Sequence, residues 1–449
     1  MTIAAHWRKL VGNAVIAAHL RGQRRVPFLP RPRLEALRDR RIRDIVNHAA
    51  RTVPYYREWF ARHGVDPRQI TGAADLDRLP ILDRESVRTR PQDFFSQAPV
   101  AQGALAFSTS GTSGTPLRIH HDRRSLLANI AFGERERVPV IHACGGTFRP
   151  TEVYVGYETS TFKMVQAFYA EHTLLPVRPQ RTFVSMLEPV DTIAAMVNTQ
   201  RPDVLVGYGG WIDAFFKTIA ARRIDLRCPR IVMYMGEALP PGARDFIEGR
   251  FGVPVLSRYN AVEAFKIGFF CERRTGFHLH EDLCHVRIVG PDRRTAAAGE
   301  PGDVVISNLV NRATVLLNYP IGDVATLSAQ RCPCGRTLTL LTELDGRVED
   351  MLALADGRLV HPRAIWEVFK GDAEVLQYQL IQHDQRRFAL VLVTVDTPSF
   401  QRALTRALPS LERVLGPGAI IDATHRSEPE QRAGGKFRAV ASRRAAPAV

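Results

Sequence analysis

With 449 residues, 45% of them apolar and 24% charged, the chain is long enough for two or three domains with cores of their own, and no apolar run approaches the roughly 20 residues a membrane-spanning helix needs. The formal net charge is +15, from 61 Lys and Arg against 46 Asp and Glu. The basic residues are spread along the whole chain, which reads as solvated surface and a field that suits an anionic substrate, not as a nucleic-acid interface; six cysteines are too few for a disulfide scaffold.

Leu10–Leu20 reads as a short amphipathic helix. It contains Asn13 and His19, runs into Arg21, Arg24 and Arg25, and has no small-residue cleavage pattern, so a cytoplasmic protein without stable membrane insertion is expected. Residues 33–62 carry helical periodicity, with Leu34, Leu37, Ile42, Ile45 and Val46 as buried positions, and Pro54 opens a further short helix. Asp83 is placed to cap a helix in the 76–90 stretch, and 125–133 is helical in pattern. From 150 to 260, short apolar runs (Val153–Val155, Val204–Val206, Ile231–Tyr234, Val253–Leu256) alternate with helical stretches at 190–198, 211–222 and 243–250, the pattern of a largely parallel α/β sheet. From 265 to 345 the pattern becomes short strands with turns: Val286–Val289, Val304–Ile306 and Val315–Leu317. The final stretch reads as α+β, with strands at Met351–Leu354, Val375–Ile381 and Phe388–Val395 and helices at 362–369 and 398–415. The expected architecture is α/β. A large N-terminal domain, 1–345, has mainly parallel sheets plus a barrel-like subdomain, and a small α+β domain, 346–449, follows it.

The strongest chemical signal is Ser108-Thr109-Ser110-Gly111-Thr112-Ser113-Gly114-Thr115-Pro116. Glycines permit positive φ and close backbone approach, and clustered hydroxyls and N–H groups can surround a phosphate. No Gly-Lys-Ser/Thr follows, so this is not a Walker loop. Further segments stand in order behind it: Gly236-Glu237-Ala238-Leu239-Pro240, Tyr259-Asn260-Ala261-Val262-Glu263, Asn318-Tyr319-Pro320-Ile321-Gly322-Asp323, Gly346-Arg347-Val348-Glu349-Asp350 and Gly434-Gly435-Lys436-Phe437-Arg438. Cys332-Pro333-Cys334 has the form of a metal-ligand turn. Cys271 and His278 could complete a tetrahedral zinc set, with His280 and Cys284 as alternatives.

Taken together and in this order, these segments resemble the adenylate-forming superfamily of acyl-CoA synthetases, luciferases and peptide-synthetase adenylation domains. Pro54-Tyr55-Tyr56, Leu79-Pro80-Ile81-Leu82 and the Cys-x-Cys turn are similar to its phenylacetate–CoA ligase branch. The resemblance implies a nucleotide site built from Ser108–Thr115, Gly236, Glu237, Ala238, Tyr259, Asn260, Asp323 and Arg347. Tyr259 would lie near adenine, Asp323 would accept from the ribose hydroxyls, and Glu263 would hold Mg²⁺. It makes Glu349 the hinge of a mobile small domain and Lys436 the catalytic cation meeting the acid carboxylate and the α-phosphate. It also implies a structural Zn²⁺ on Cys271, His278, Cys332 and Cys334. The implied reaction is ATP-dependent conversion of a carboxylic acid to acyl-AMP, then transfer to a thiol. CoA, a carrier-protein phosphopantetheine and an amine stay open as acceptors, a homodimer as the assembly, and a catalytically silent nucleotide-binding relative as the alternative. Val262 and Asn318 depart from the family's Thr/Ser and Arg. Aromatic residues around Tyr208–Trp211, Tyr234 and Tyr259 suggest a flat or aromatic acid in an apolar pocket.

Overall fold

The structure, a computed structural model, describes residues 3–108, 117–158, 160–174, 180–236, 239, 242–345, 352–360, 362–369, 372, 374–375, 377–427 and 440–442. Thr109–Thr115, Glu237, Ala238, Arg347, Glu349 and Lys436 lie outside the described residues.

One 11-stranded sheet organises the chain. Five neighbouring strands are parallel: Gln180–Ser185, Thr151–Gly156, Val204–Gly207, Ile231–Met235 and Val255–Tyr259. The inner four are mostly apolar and buried, as strands covered by helices on both faces must be, whereas Gln180–Ser185 at the end of the sheet is largely polar and more exposed. Of the helices between them, Val190–Gln200, Gly209–Arg222 and Ala243–Phe251 fall where the sequence periodicity places them, and Thr161–His172 is a further one the periodicity did not mark. Val255–Tyr259 then pairs antiparallel with Gly268–Phe270, and the ladder continues through Phe277–Leu279, Leu340–Asp345, Tyr319–Leu327, Pro301–Asn308 and Cys284–Val289. The strands expected as a barrel-like subdomain are thus the antiparallel half of the same sheet, in an open strand order.

Val315–Leu317, expected as a strand, is an irregular buried run. Its backbone is satisfied by single partners: Val315 N–H donates to Phe94 C=O at 3.0 Å, and Leu317 N–H donates to the Tyr56 hydroxyl at 2.9 Å. Apolarity marked the burial correctly, but no second strand is there to make a ladder. The helical stretch 33–62 breaks at Val53-Pro54 into Arg31–Thr52 and Pro54–His63, and Asp83 caps Arg84–Thr89 by accepting from Glu85 and Ser86 N–H.

The C-terminal part forms a separate four-stranded sheet. Gln377–Gln382 and Arg387–Val393 pair antiparallel at its centre, with Val440–Ser442 and Ile420–Arg426 parallel at its edges. Helices Pro362–Phe369 and Thr397–Leu415 lie where expected. Their apolar residues join one continuous buried cluster with Trp211, Phe215 and Ile219 of the central helices. Among the described residues no helix is long and apolar enough to cross a membrane.

Candidate active site

In an open α/β sheet, ligands bind beyond the carboxyl ends of the parallel strands, where the strand order reverses. Here the chain runs from Thr151–Gly156 outward to Gln180–Ser185, then returns to Val204–Gly207 on the other side, so the reversal lies between the first and third of these strands. Three neighbouring strands end on Gly207-Tyr208, Met235-Gly236 and Tyr259, and two of those ends are segments singled out from the sequence. Gly236 has φ +80°, and a Cβ there would stand 3.2 Å from the Tyr208 ring, so only glycine lets the two strand ends close up. Tyr157, at the end of Thr151–Gly156, stands with its ring 6.3 Å from Tyr208 across the reversal. Tyr157 had no motif to announce it; its signal is the repeated Gly-Tyr at successive strand ends.

Asp323 reaches this edge through a bulge. Three residues, Ile321, Gly322 and Asp323, stand against one on the partner strand, and Gly322 takes φ +88° to allow it. The result is a 2.8 Å hydrogen bond from the Tyr259 hydroxyl to Asp323 Oδ2. Burial, and then the Asp323 charge, push the Tyr259 pKa well above its ordinary value, so the phenol stays a donor. The structure thus brings Tyr259 and Asp323 together across 64 residues of sequence.

Asn318, where the family's pattern has Arg, has a defined role in the fold. It is fully buried at φ +53°, a left-handed conformation that Asn tolerates. Its Nδ2 donates to Leu76 C=O at 2.7 Å and Leu79 C=O at 3.1 Å, its N–H donates to Ser307 Oγ, and its C=O accepts from Leu82 N–H. It therefore fastens the Leu79–Leu82 segment beneath the bulge.

Glu263 is buried, in the turn between Tyr259 and Gly268, and its backbone carbonyl accepts from Asn308 Nδ2 at 2.8 Å. The next carbonyl back, of Val262, accepts from His121 Nε2 at 2.6 Å. His121 ends the strand Arg118–His121, which pairs with Leu105–Ser108, so the Ser/Gly/Thr-rich segment 109–116 spans the two arms of a hairpin. The departing residue Val262 is thus used through its backbone, as the tie between that hairpin and Glu263. Sequence reasoning missed His121, which sits in the polar run His120-His121-Asp122-Arg123 with no motif to single it out.

His121 sets a pH dependence. Burial lowers its pKa from 6.5 to about 4, against a smaller opposing effect of the Val262 carbonyl. The folded state holds the ring neutral, whereas the unfolded chain takes up a proton near pH 6.5. Stability from this group is therefore intact above pH 6.5 and is lost as pH falls to 4, by about 3 kcal/mol. His121→Asn should flatten that part of the acid limb in urea unfolding measured at pH 7, 5.5 and 4.5. An unchanged slope would remove His121 from the account.

Trp211, expected near an acid pocket, is core: it is 1% exposed and stacks on Phe215 at 4.7 Å. Tyr208, Tyr234 and Tyr259, though also buried, sit at the strand ends.

A second constellation lies in the antiparallel half, where Cys271 follows Gly268–Phe270, His278 sits in Phe277–Leu279, and Cys332 and Cys334 lie between Tyr319–Leu327 and Leu340–Asp345. Cys271, His278, Cys332 and Cys334 place their ligand atoms within 4.8 Å of one another. Cys271 and Cys332 sulfurs are 3.6 Å apart, and Cys334 Sγ is 3.4 Å from His278 Nε2. Zn–S bonds of about 2.3 Å give tetrahedral edges of about 3.7 Å, so three thiols and an imidazole at these spacings fit zinc. Arg273 N–H donates to Cys271 Sγ, and Arg336, bidentate to Glu272 at 2.6 and 2.9 Å, lies beside Cys334, which is the outer support thiolate ligands need. His280 instead bonds Glu136, and Cys284 is buried apart in the sheet core, so neither alternative ligand joins the set. Purified protein should carry about one equivalent of zinc, and Cys334→Ser should lose it and lower the thermal midpoint by about 5 °C or more. Metal analysis finding no zinc, with a midpoint indifferent to chelator, would contradict this.

No family model matches the chain. It is 25% identical over 414 residues to the phenylacetate–coenzyme A ligase of Thermus thermophilus, covering 89% of this chain and 88% of that protein. It is 24% identical over 362 residues to the phenylacetate–coenzyme A ligase of Escherichia coli, covering 77% and 78%. Among solved structures, 2-hydroxyisobutyryl-CoA ligase in its post-adenylation state superimposes with a TM-score of 0.60 at 18% identity, over 94% of this chain and 92% of that one. The same ligase with its acyl-AMP and CoA in the thioesterification state gives 0.61, over 93% and 92%. The fold is that of these ligases, and the sequence is similar to phenylacetate–CoA ligases along most of its length.

Proposed function

We propose that this phenylacetate–CoA-ligase-like chain is an AMP-forming acid–thiol ligase that activates a carboxylic acid as acyl-AMP and transfers the acyl group to CoA. The observation that carries the reading is the convergence of Tyr259, Asp323, Gly236 and the 105–121 hairpin on one edge of the sheet. Asp323, aimed by its bulge and oriented by Tyr259, accepts from the ribose hydroxyls, a task for a two-oxygen acceptor. Ser108–Thr115 surround the phosphates with N–H groups and hydroxyls. Glu263 offers the hard oxygen that would hold Mg²⁺ entering with ATP, whose charge lowers the repulsion among phosphate oxygens. The acid carboxylate attacks the α-phosphorus, pyrophosphate leaves, and Lys436 offsets the two negative charges that meet there. The 346–449 part, turning at Glu349 while Arg347 stays with the nucleotide, then admits the thiol, which attacks the acyl carbonyl and releases AMP. Tyr157, Tyr208 and Tyr234 make the acid side flat and apolar, which favours an aromatic acid.

Incubation with ATP, Mg²⁺, CoA and an aryl or arylacetic acid should give the acyl-CoA and AMP in equal amounts. Acyl-AMP formation with no CoA thioester, but transfer to an amine or a phosphopantetheine carrier, would reassign the acceptor. Nucleotide binding without any acyl-AMP would make the chain a silent relative. Asn318, one of the two departures from the family's pattern, has structural work of its own in this fold.

A further inference from the structure

The segment that carries Tyr259 and Glu263 is held in place from outside the site. It begins after Arg258 and ends before Lys266, and both of these cations turn to the same carboxylate. Glu136 Oε2 lies 2.7 Å from Lys266 Nζ and 3.3 Å from Arg258 Nε, while Glu136 Oε1 accepts from His280 Nε2 at 3.0 Å. Glu136 is 4% exposed, and its helix, Glu134–Ala143, is anchored by its neighbour Arg135, bidentate to the buried Asp282 at 2.7 and 3.0 Å. A carboxylate in such a place would be raised by burial, yet Lys266, His280 and Arg258 outweigh this and keep it ionised.

The segment needs such a hold. Phe265, between Glu263 and Lys266, has φ +28°, a conformation a bulky side chain keeps only where its surroundings over-determine it. From one side Phe265 packs on Phe107 and His121 of the hairpin, at 5.5 and 4.3 Å between ring centroids. From the other, Lys266 is tied to Glu136.

We propose that Glu136 is a positioning residue for the nucleotide site: one buried carboxylate that fixes both ends of the 258–266 segment and so sets where Tyr259 and Glu263 stand. This rests on the reading of that segment as nucleotide-binding. It concerns a helix that no motif marked.

The test compares Glu136→Gln with the double variant Glu136→Gln/Lys266→Met, which leaves no unpaired buried ammonium. Two quantities are measured: the Kd for AMP by calorimetry, and deuterium uptake of amides 259–266 in ligand-free protein. The proposal expects AMP binding at least ten-fold weaker in both variants, with uptake raised over 259–266 in particular. It also expects the double variant to regain thermal stability without regaining affinity, a split that a merely packing role would not produce. A folded double variant with wild-type Kd and wild-type uptake would overturn it, as would uptake raised evenly along the chain. If wild-type protein does not bind AMP, the ligase reading fails instead, and the uptake over 259–266 alone decides whether Glu136 positions the segment.

Discussion

Replacing Lys436 by alanine should lower acid-dependent ATP–pyrophosphate exchange by about 100- to 1,000-fold, the range observed when one preorganised group facing a developing charge is removed. The first half-reaction brings a carboxylate against a phosphate that is itself anionic, and the pentacoordinate phosphorus gathers more negative charge on its oxygens. A single ammonium shared by both partners is worth most at that moment and little before it, so kcat should fall while the KM for ATP changes little. The second half-reaction has no such meeting of anions. Thioester formation from a supplied acyl adenylate and CoA should therefore keep most of its rate in Lys436→Ala. An equal loss in both halves would show that the residue holds the fold or the adenylate and does not stabilise the phosphoryl step.

Asp323→Ala should raise the Kd for AMP about 100-fold or more. Hydrogen bonds to a charged acceptor contribute about 1.5–3 kcal/mol each, and two ribose hydroxyls are in question. The substitution also deprives the buried Tyr259 hydroxyl of its acceptor, so a control is needed. Tyr259→Phe keeps Asp323 and removes only their mutual bond, and its loss should stay below about ten-fold. A dideoxyribose analogue of AMP supplies the second control. It should bind wild type and Asp323→Ala with the same low affinity, since neither complex then has a ribose–carboxylate bond. If Asp323→Ala weakens the analogue as much as AMP, the aspartate acts through Tyr259 and not on the sugar.

The sequence was most legible where one physical rule acted alone. Alternating apolar runs and helices over 150–260 marked four of the five parallel strands, because burial on both faces leaves little other choice, while the more polar strand Gln180–Ser185 at the end of the sheet went unmarked. The clustering of Cys271, His278, Cys332 and Cys334 was legible from the Cys-x-Cys turn and the residue types alone. Other features needed a third dimension. The bulge that aims Asp323 depends on a partner strand 20 residues upstream, so Gly322-Asp323 reads locally as a turn. Val315–Leu317 is apolar enough for a strand but is paired piecemeal with Tyr56 and Phe94. Asn318 looked like the loss of a binding residue, and only its left-handed backbone and carbonyl partners show what it does instead. His121 and Glu136 could not be found from any motif, since each acts on a segment more than 100 residues away. Trp211 shows the converse, an aromatic beside a site segment that belongs to the core.

The central claim is formation of an acyl adenylate, and its most direct test is ATP–pyrophosphate exchange with Mg²⁺ across a panel of aryl, arylacetic, hydroxybenzoic and fatty acids. The account predicts exchange that depends on the acid, is strongest with the aromatic members and is lost in Lys436→Ala. Protein that binds ATP but shows no exchange with any acid would contradict it.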